Sequence, residues 1–200
     1  MKYNEMKQAV NLLAEEWNLG KEESEAEGNI CAWIYLIDVL EESEKIVTYK
    51  DGKKLVGFCG YSKENSHKRL IKKKIYKTIS CILRKSKKIK NKEGFNQYES
   101  NYNYVPKELE SYFDGEVSIL IVDKKYRGQK IGNKLLLEVF KMAKKDNMKN
   151  LQILTDESCS YQFYEKCGCK KVYETIVKNK EREKLGQITS EKAFIYEKAL

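Results

Sequence analysis

Proline is all but missing from this chain, with one residue in 200, and histidine also occurs only once, at His67. With 41% apolar and 34% charged residues, so little proline excludes a collagen-like or low-complexity chain. The six cysteines, at 31, 59, 81, 159, 167 and 169, never form a CxxC pair. Structural zinc sites want paired Cys or Cys/His spacings, so no metal site is expected and the thiols read as small buried side chains in a reducing compartment. Long apolar runs are lacking too. The longest, Ile30 to Ile37, is far shorter than the roughly 20 residues needed to span a bilayer. The opening MKYNEMKQAV has no apolar h-region and is expected to be neither a signal peptide nor an anchor. There is no internal repeat at a fixed period. A soluble cytoplasmic protein with no membrane partner is the expectation.

What is present suits one domain over residues 1–200, since a chain of this size can bury roughly 70% of the surface its unfolded form exposes. The net charge of +9 is unevenly spread. Asn65 to Lys92 holds twelve Lys or Arg and no acid, whereas Glu15 to Glu44 holds ten acids and one lysine. Two such regions are expected to do different things.

Apolar residues at Met6, Val10, Leu13 and Trp17 have helical spacing, and Ile30 to Leu40 reads as a second, well-buried helix. Two strand-like runs, 45–49 and 53–62, flank Asp51-Gly52, a hairpin signal. Ile71, Ile75, Ile79 and Ile82 or Leu83 recur at helical spacing among lysines and predict an amphipathic basic helix. The polar, tyrosine-rich stretch that follows reads as loop, making 65–115 a basic insert. From Glu116 onward the order is strand, helix, strand, short helix, strand, with a last strand around Ala193 to Glu197. Strands joined through a crossover helix are normally parallel, so the Ile121 and Leu154 strands are expected side by side.

The junction Ser118 to Leu137, SILIVDKKYRGQKIGNKLLL, joins the end of a strand to the start of a helix. A helix N-terminus offers unpaired N–H groups and partial positive charge, worth about 0.3–1 kcal/mol per nearby anionic group. Gly128 and Gly132 remove Cβ where backbone must approach a ligand, and Lys124, Lys125, Arg127 and Lys130 add charge. A pyrophosphate suits such a loop. The spacing fits neither a Walker A loop nor a GxGxxG dinucleotide fingerprint.

Tyr126 to Gly132 does resemble the acyl-coenzyme A loop of the GNAT superfamily of N-acetyltransferases. That pattern is Arg or Gln, two residues, Gly, one residue, then Gly or Ala. Arg127 and Gly132 stand at their places, and Lys130 stands where the family has its middle glycine. About thirty residues downstream, Phe163-Tyr164-Glu165-Lys166-Cys167-Gly168-Cys169 is similar to the family's PheTyrGluLys-x-Gly-Phe, with Cys169 replacing the aromatic. LeuValGlyPheCysGly, GluValSerIleLeuIleVal and two leading helices fit in order, so the resemblance covers nearly all of the chain outside 65–115 and 178–191.

The resemblance implies an α/β (α+β) fold, a mixed and mostly antiparallel sheet with a central pair of splayed parallel strands and helices on both faces. It implies acetyl-CoA as cosubstrate. The pyrophosphate would meet Arg127, Gly128, Gln129, Lys130, Ile131, Gly132 and Asn133, while the pantetheine arm would bond freed backbone of Leu120, Ile121 and Val122 where the strands part after Val122 and Thr155. Ser160 joins the expected cofactor contacts. Tyr164 is implied as the acid that protonates the departing thiolate, and an N–H near Leu120 or Ile121 as the oxyanion donor. A phenol of ordinary pKa about 10 can protonate a thiolate. Glu116 is the candidate for drawing off the amine proton through water, with a solvated strand-end carboxylate as its bland alternative. Glu157, Ser158 and Ser160 are weaker candidates.

Nothing in the sequence names the amine acceptor. An acidic mouth formed by the leading helices would suit a cationic small molecule or a basic peptide, although a charge run is more often a solvated face. The insert should leave and re-enter the sheet at the acceptor end, with the isoleucine stripe packed near it and Gln97 to Tyr104 bordering the pocket. Two other readings stay open: a nucleic-acid or anionic-surface module using the Asn65 to Lys92 helix, and a GNAT fold that binds coenzyme A without catalysis. Nucleic acid is disfavoured, since no recognised motif occurs. A homodimer stays open.

Overall fold

The computed structural model describes residues 1–19, 24–63, 70–90, 104–178 and 190–200. His67, the stretch 91–103 and most of the polar insert after Lys178 lie outside them. In chain order the elements are α1 (Tyr3–Glu16), α2 (Glu25–Glu42), β1 (Ser43–Asp51), β2 (Lys54–Lys63), α3 (Leu70–Arg84), α4 (Lys107–Glu110), β3 (Gly115–Val122), α5 (Ile131–Lys145), β4 (Asn150–Asp156), α6 (Gln162–Lys166), β5 (Lys170–Lys178) and β6 (Ser190–Ala199). A single 3-10 turn, Lys124–Tyr126, sits between β3 and α5. The strands hydrogen-bond in the order β1-β2-β3-β4-β6-β5. β1/β2, β4/β6 and β5/β6 are antiparallel, and β3/β4 is the parallel pair expected from the crossover.

The chain divides into two compact units, Met1–Lys90 with Ser118–Met142 and Asn91–Val117 with Ala143–Leu200. In the first, α1 and α2 bury Val10, Leu13, Leu36 and Leu40 against Leu55, Phe58, Ile119 and Ile121 of β2 and β3. Ser24 caps α2 by accepting from the Glu27 N–H at 3.2 Å, while Glu5 reaches back to the Lys2 N–H at 2.7 Å at the start of α1. β2 lies so close to β3 that a Cβ on Gly57 would stand 2.9 Å from the Ile121 carbonyl oxygen. Only glycine fits there.

Helix α3 corrects one expectation. Its isoleucine stripe does not dock on the sheet: Ile71, Ile75, Ile79 and Ile82 are exposed, and the helix packs on α2 through Ser80, Tyr76 and Leu83 with an Arg84–Asp38 ion pair at 2.6 Å. The physical reason is that α1 and α2 already cover the apolar cluster on β2 and β3, so α3 reaches that cluster only through Tyr76 and lies on α2 rather than on the sheet.

In the second unit β3 and β4 meet at one register pair, Glu116 with Gln152, near the N-terminal ends of both strands. β6 runs between β4 and β5 and carries Phe194, Ile195 and Tyr196 into the interior. Asn150 ties the start of β4 to the approach to β3, accepting from the Asp114 N–H at 3.0 Å and donating to the Tyr112 carbonyl at 3.2 Å. The cysteines form no disulfide. Cys59, Cys167 and Cys169 are buried as expected, but Cys81 on α3 and Cys159 after β4 are exposed. Their segments belong to an outward helix face and a turn, where apolar neighbours in sequence bring no burial. Among the described residues no helix is long and apolar enough to cross a membrane, and no group of three His, Cys, Asp or Glu could hold a metal.

Candidate active site

β3 alternates, with Val117, Ile119 and Ile121 buried and Glu116, Ser118, Leu120 and Val122 half-buried, the period of two that a strand imposes. Immediately after it Asp123 is buried and pins the chain. Its N–H donates to the Val56 carbonyl at 2.9 Å, and its carboxylate accepts from the Lys125 N–H at 2.9 Å and from Lys54 Nζ at 2.7 Å. The hydrogen bond from Lys54 is the main reason its pKa falls below the ordinary aspartate value, reinforced by the Lys125 N–H and opposed by burial. Sequence reasoning passed over Asp123. The signal available was an Asp directly after an apolar strand, a position that favours capping the following turn.

Beyond that turn, Arg127, Gly128, Gln129 and Lys130 are exposed, Ile131 is buried, and Gly132 and Asn133 are half-buried in the first turn of α5. Ile131 therefore anchors the helix start while the preceding backbone stays approachable. Gly128 has φ +81° and Lys130 φ +60°. Lys130 thus adopts the left-handed conformation that a glycine at this place would take without strain, at a cost of about 1 kcal/mol. The Lys130 carbonyl still accepts from the Lys134 N–H at 3.0 Å, opening the helix ladder. Three further contacts hold the loop: Tyr126 donates to Asp51 at 2.9 Å, Lys54 Nζ lies 4.8 Å from the Tyr126 ring centre, and Arg127 pairs with Glu16 of α1. Lys124 adds a looser pair to Glu16 at 3.9 Å.

These pairings also revise the acidic mouth. Glu16 is joined to Arg127, Asp38 to Arg84, and Glu27 is buried with its carboxylate accepting the Lys90 N–H at 2.7 Å. The Asp38–Arg84 pair joins the acidic block to the basic one, while Glu16 is paired with the cationic loop after β3.

In the second unit, Tyr164 is half-buried on α6. Its N–H donates to the Tyr161 carbonyl at 3.0 Å, and its own carbonyl accepts from the Cys167 and Cys169 N–H groups, each at 3.0 Å. Its ring lies 5.5 Å from Phe163 and 5.8 Å from Tyr196. Tyr196 is fully buried and donates to Glu165 at 2.9 Å, so burial and that carboxylate push its phenol pKa well up. The Gly168 φ of +74° lets the chain turn from α6 into β5. Glu116 accepts from Gln152 Nε2 at 2.9 Å, across the register pair.

Tyr104 joins this group without having been singled out as chemistry. Its hydroxyl is shared between the Thr155 carbonyl at 3.1 Å and the Phe194 carbonyl at 3.2 Å, at the end of β4 and on β6. Burial pushes its pKa strongly up, and the charges of Asp156, Glu116 and Cys159 push the same way. Of the expected pocket border Gln97 to Tyr104, it is the one residue within the described set. The weaker candidates are placed as follows. Glu157 is exposed and accepts from the Lys192 N–H at 3.0 Å. The Ser158 hydroxyl donates to buried Asp156 at 2.5 Å, and the Ser160 carbonyl accepts from the Phe163 N–H at 3.0 Å at the start of α6.

A mixed sheet with one parallel pair, followed by an open cationic loop leading into a helix, is the architecture of an acyltransferase of the kind the two motifs imply. The model described as the Acetyltransferase (GNAT) family matches residues 6–169, and the chain belongs to that family, whose chemistry is acyl transfer. No curated protein matches the chain significantly. Among solved structures it is similar to an aminoglycoside 6'-N-acetyltransferase complexed with coenzyme A, at 15% identity and TM-score 0.57 over 99% of this chain and 92% of that one. An aminoglycoside 6'-acetyltransferase type Ii gives 17% identity and TM-score 0.56 over 99% and 92%. An N-acetyltransferase from Staphylococcus aureus Mu50 gives 15% and 0.51 over 96% and 93%. At such identities the likeness is one of fold.

Proposed function

We propose that the chain transfers the acetyl group of acetyl-CoA directly to a primary amine. The observation that carries this is the Arg127–Asn133 junction, where Gly128 and Lys130 take positive φ and solvent-open backbone leads into the first turn of a fifteen-residue helix beside a cluster of cations. Such a junction suits a pyrophosphate, and family membership makes acetyl-CoA the expected donor.

In the proposed reaction the neutral amine nitrogen attacks the thioester carbonyl, the C–N bond forms and the C–S bond breaks. Backbone N–H groups near Leu120 and Ile121 would meet the oxyanion. Tyr164 would give its proton to the leaving thiolate, releasing coenzyme A, and the proton shed by the amine would pass through water to Glu116. The Gln152 hydrogen bond orients the Glu116 carboxylate on its strand. The phenols of Tyr104 and Tyr196 are committed to protein oxygens and their pKa values are pushed up by burial, which makes them poorer acids for this role.

The test is release of free coenzyme A thiol from acetyl-CoA across a panel of polyamines, aminosugars and lysine peptides. Turnover with one class above the hydrolysis background identifies the acceptor. Binding of acetyl-CoA without turnover on any amine would reassign the chain to a coenzyme A-binding role.

A further inference from the structure

Helix α3 turns its isoleucines outward. Ser80 is buried and Tyr76, Leu83 and Arg84 are half-buried towards α2, while Ile71 is 78% exposed, Ile82 64% and Ile75 53%. At 100° per residue Ile71, Ile75, Ile79 and Ile82 fall in one stripe roughly opposite Ser80. Lys74 flanks one edge of that stripe and Lys72 the other, with exposed Lys77 further round the helix beyond Lys74. From Asn65 to Lys92 the sequence offers twelve cations and no acid, and the acids that α3 meets, such as Asp38, belong to α2 on its packed side.

We propose that this face of α3 lies on an anionic lipid surface. The isoleucines would enter the boundary between head groups and acyl chains, and the lysines would keep their ammonium groups among acidic head groups, the arrangement that an amphipathic cationic helix takes in a membrane interface. Lying on a surface requires no spanning segment, so the absence of a long apolar helix among the described residues does not bear against it. Charge complementarity selects this occupant. A second copy docked face to face would bring the two lysine borders together, like charge against like. A nucleic acid would satisfy the lysines but leave the outward isoleucines in water. Tyr76, the aromatic residue of α3, packs against the core cluster and offers bases no stacking platform.

The test is flotation of the full chain with phosphatidylcholine vesicles, with and without about one-third phosphatidylserine, alongside Ile75→Ser/Ile79→Ser and Lys74→Glu/Lys77→Glu variants. These positions are exposed, so each variant should keep the wild-type melting temperature and acetyl-CoA binding; a variant that melts early is replaced by Ile71→Ser/Ile82→Ser. The expected result is binding to the anionic vesicles only, weakened about tenfold or more by either pair of changes. Failure of the wild type to float overturns the proposal, whatever the outcome for acetyl transfer. So does binding that survives loss of the isoleucines, which would leave charge alone at work, or preferential binding to duplex DNA. A salt-insensitive dimer abolished by the isoleucine changes would overturn it in favour of a second copy.

Discussion

Lys54 Nζ stands 2.7 Å from Oδ2 of Asp123, joining the start of β2 to the residue that follows β3 and opens the candidate cofactor loop. The pair depresses the Asp123 pKa below its ordinary 3.8 and raises that of Lys54. A depressed carboxylate contributes stability that is intact above the ordinary value and is lost as pH falls through the folded one. Asp123→Asn should therefore cost about 1–2 kcal/mol near neutrality, with the gap from wild type closing below about pH 4. Urea unfolding at both pH values checks this, and a gap independent of pH would place the effect in packing instead.

Lys130 occupies a backbone conformation that favours glycine, with φ +60°. Lys130→Gly should leave stability within about 0.5 kcal/mol of wild type, since relieved strain offsets the added freedom of the unfolded chain. Lys130→Val should destabilise by about 1–2 kcal/mol, because a β-branched residue tolerates that conformation worst. Equal melting temperatures for the two variants would show that the loop relaxes elsewhere.

Glu16 holds the Arg127 guanidinium, so a bound pyrophosphate would compete with it. The pair is half exposed and worth at most about 1 kcal/mol. Glu16→Gln is expected to tighten acetyl-CoA binding by about two- to fivefold, measured at low salt. Weaker binding would mean that the carboxylate positions the arginine rather than competing for it.

Tyr164→Phe removes one hydroxyl from α6. On the proposed mechanism kcat falls on the order of 10²-fold with little change in cofactor affinity. An unchanged single-turnover rate would return Tyr164 to a packing role beside Phe163 and Tyr196.

Element order was legible in sequence because each element carries its own period: two for Val117, Ile119 and Ile121, about 3.6 for Ile131, Leu135 and Val139. The candidate cofactor loop stands out in the sequence because its glycines and cations lie close together. Partnerships between distant segments do not. A helical isoleucine spacing says that α3 is amphipathic, not which neighbour it meets, and here the stripe faces out while Arg84 finds Asp38 on α2. The Glu16–Arg127 pair joins residues far apart in sequence, and the Arg84–Asp38 pair ties the basic block to the acidic one. Tyr104 sits at the edge of a stretch without periodicity, and nothing local announces that its hydroxyl bridges β4 and β6.

The most direct test is a calorimetric titration of acetyl-CoA into the wild-type chain and into Gly132→Val. Gly132 lies in the first turn of α5, where valine changes helix propensity little but adds bulk at the expected pyrophosphate contact. The expected result is saturable binding to wild type, weakened at least about tenfold in a variant of unchanged melting temperature. No heat of binding to wild type at millimolar acetyl-CoA, or equal affinity for both proteins, would contradict the placement of the cofactor on the Arg127–Asn133 loop.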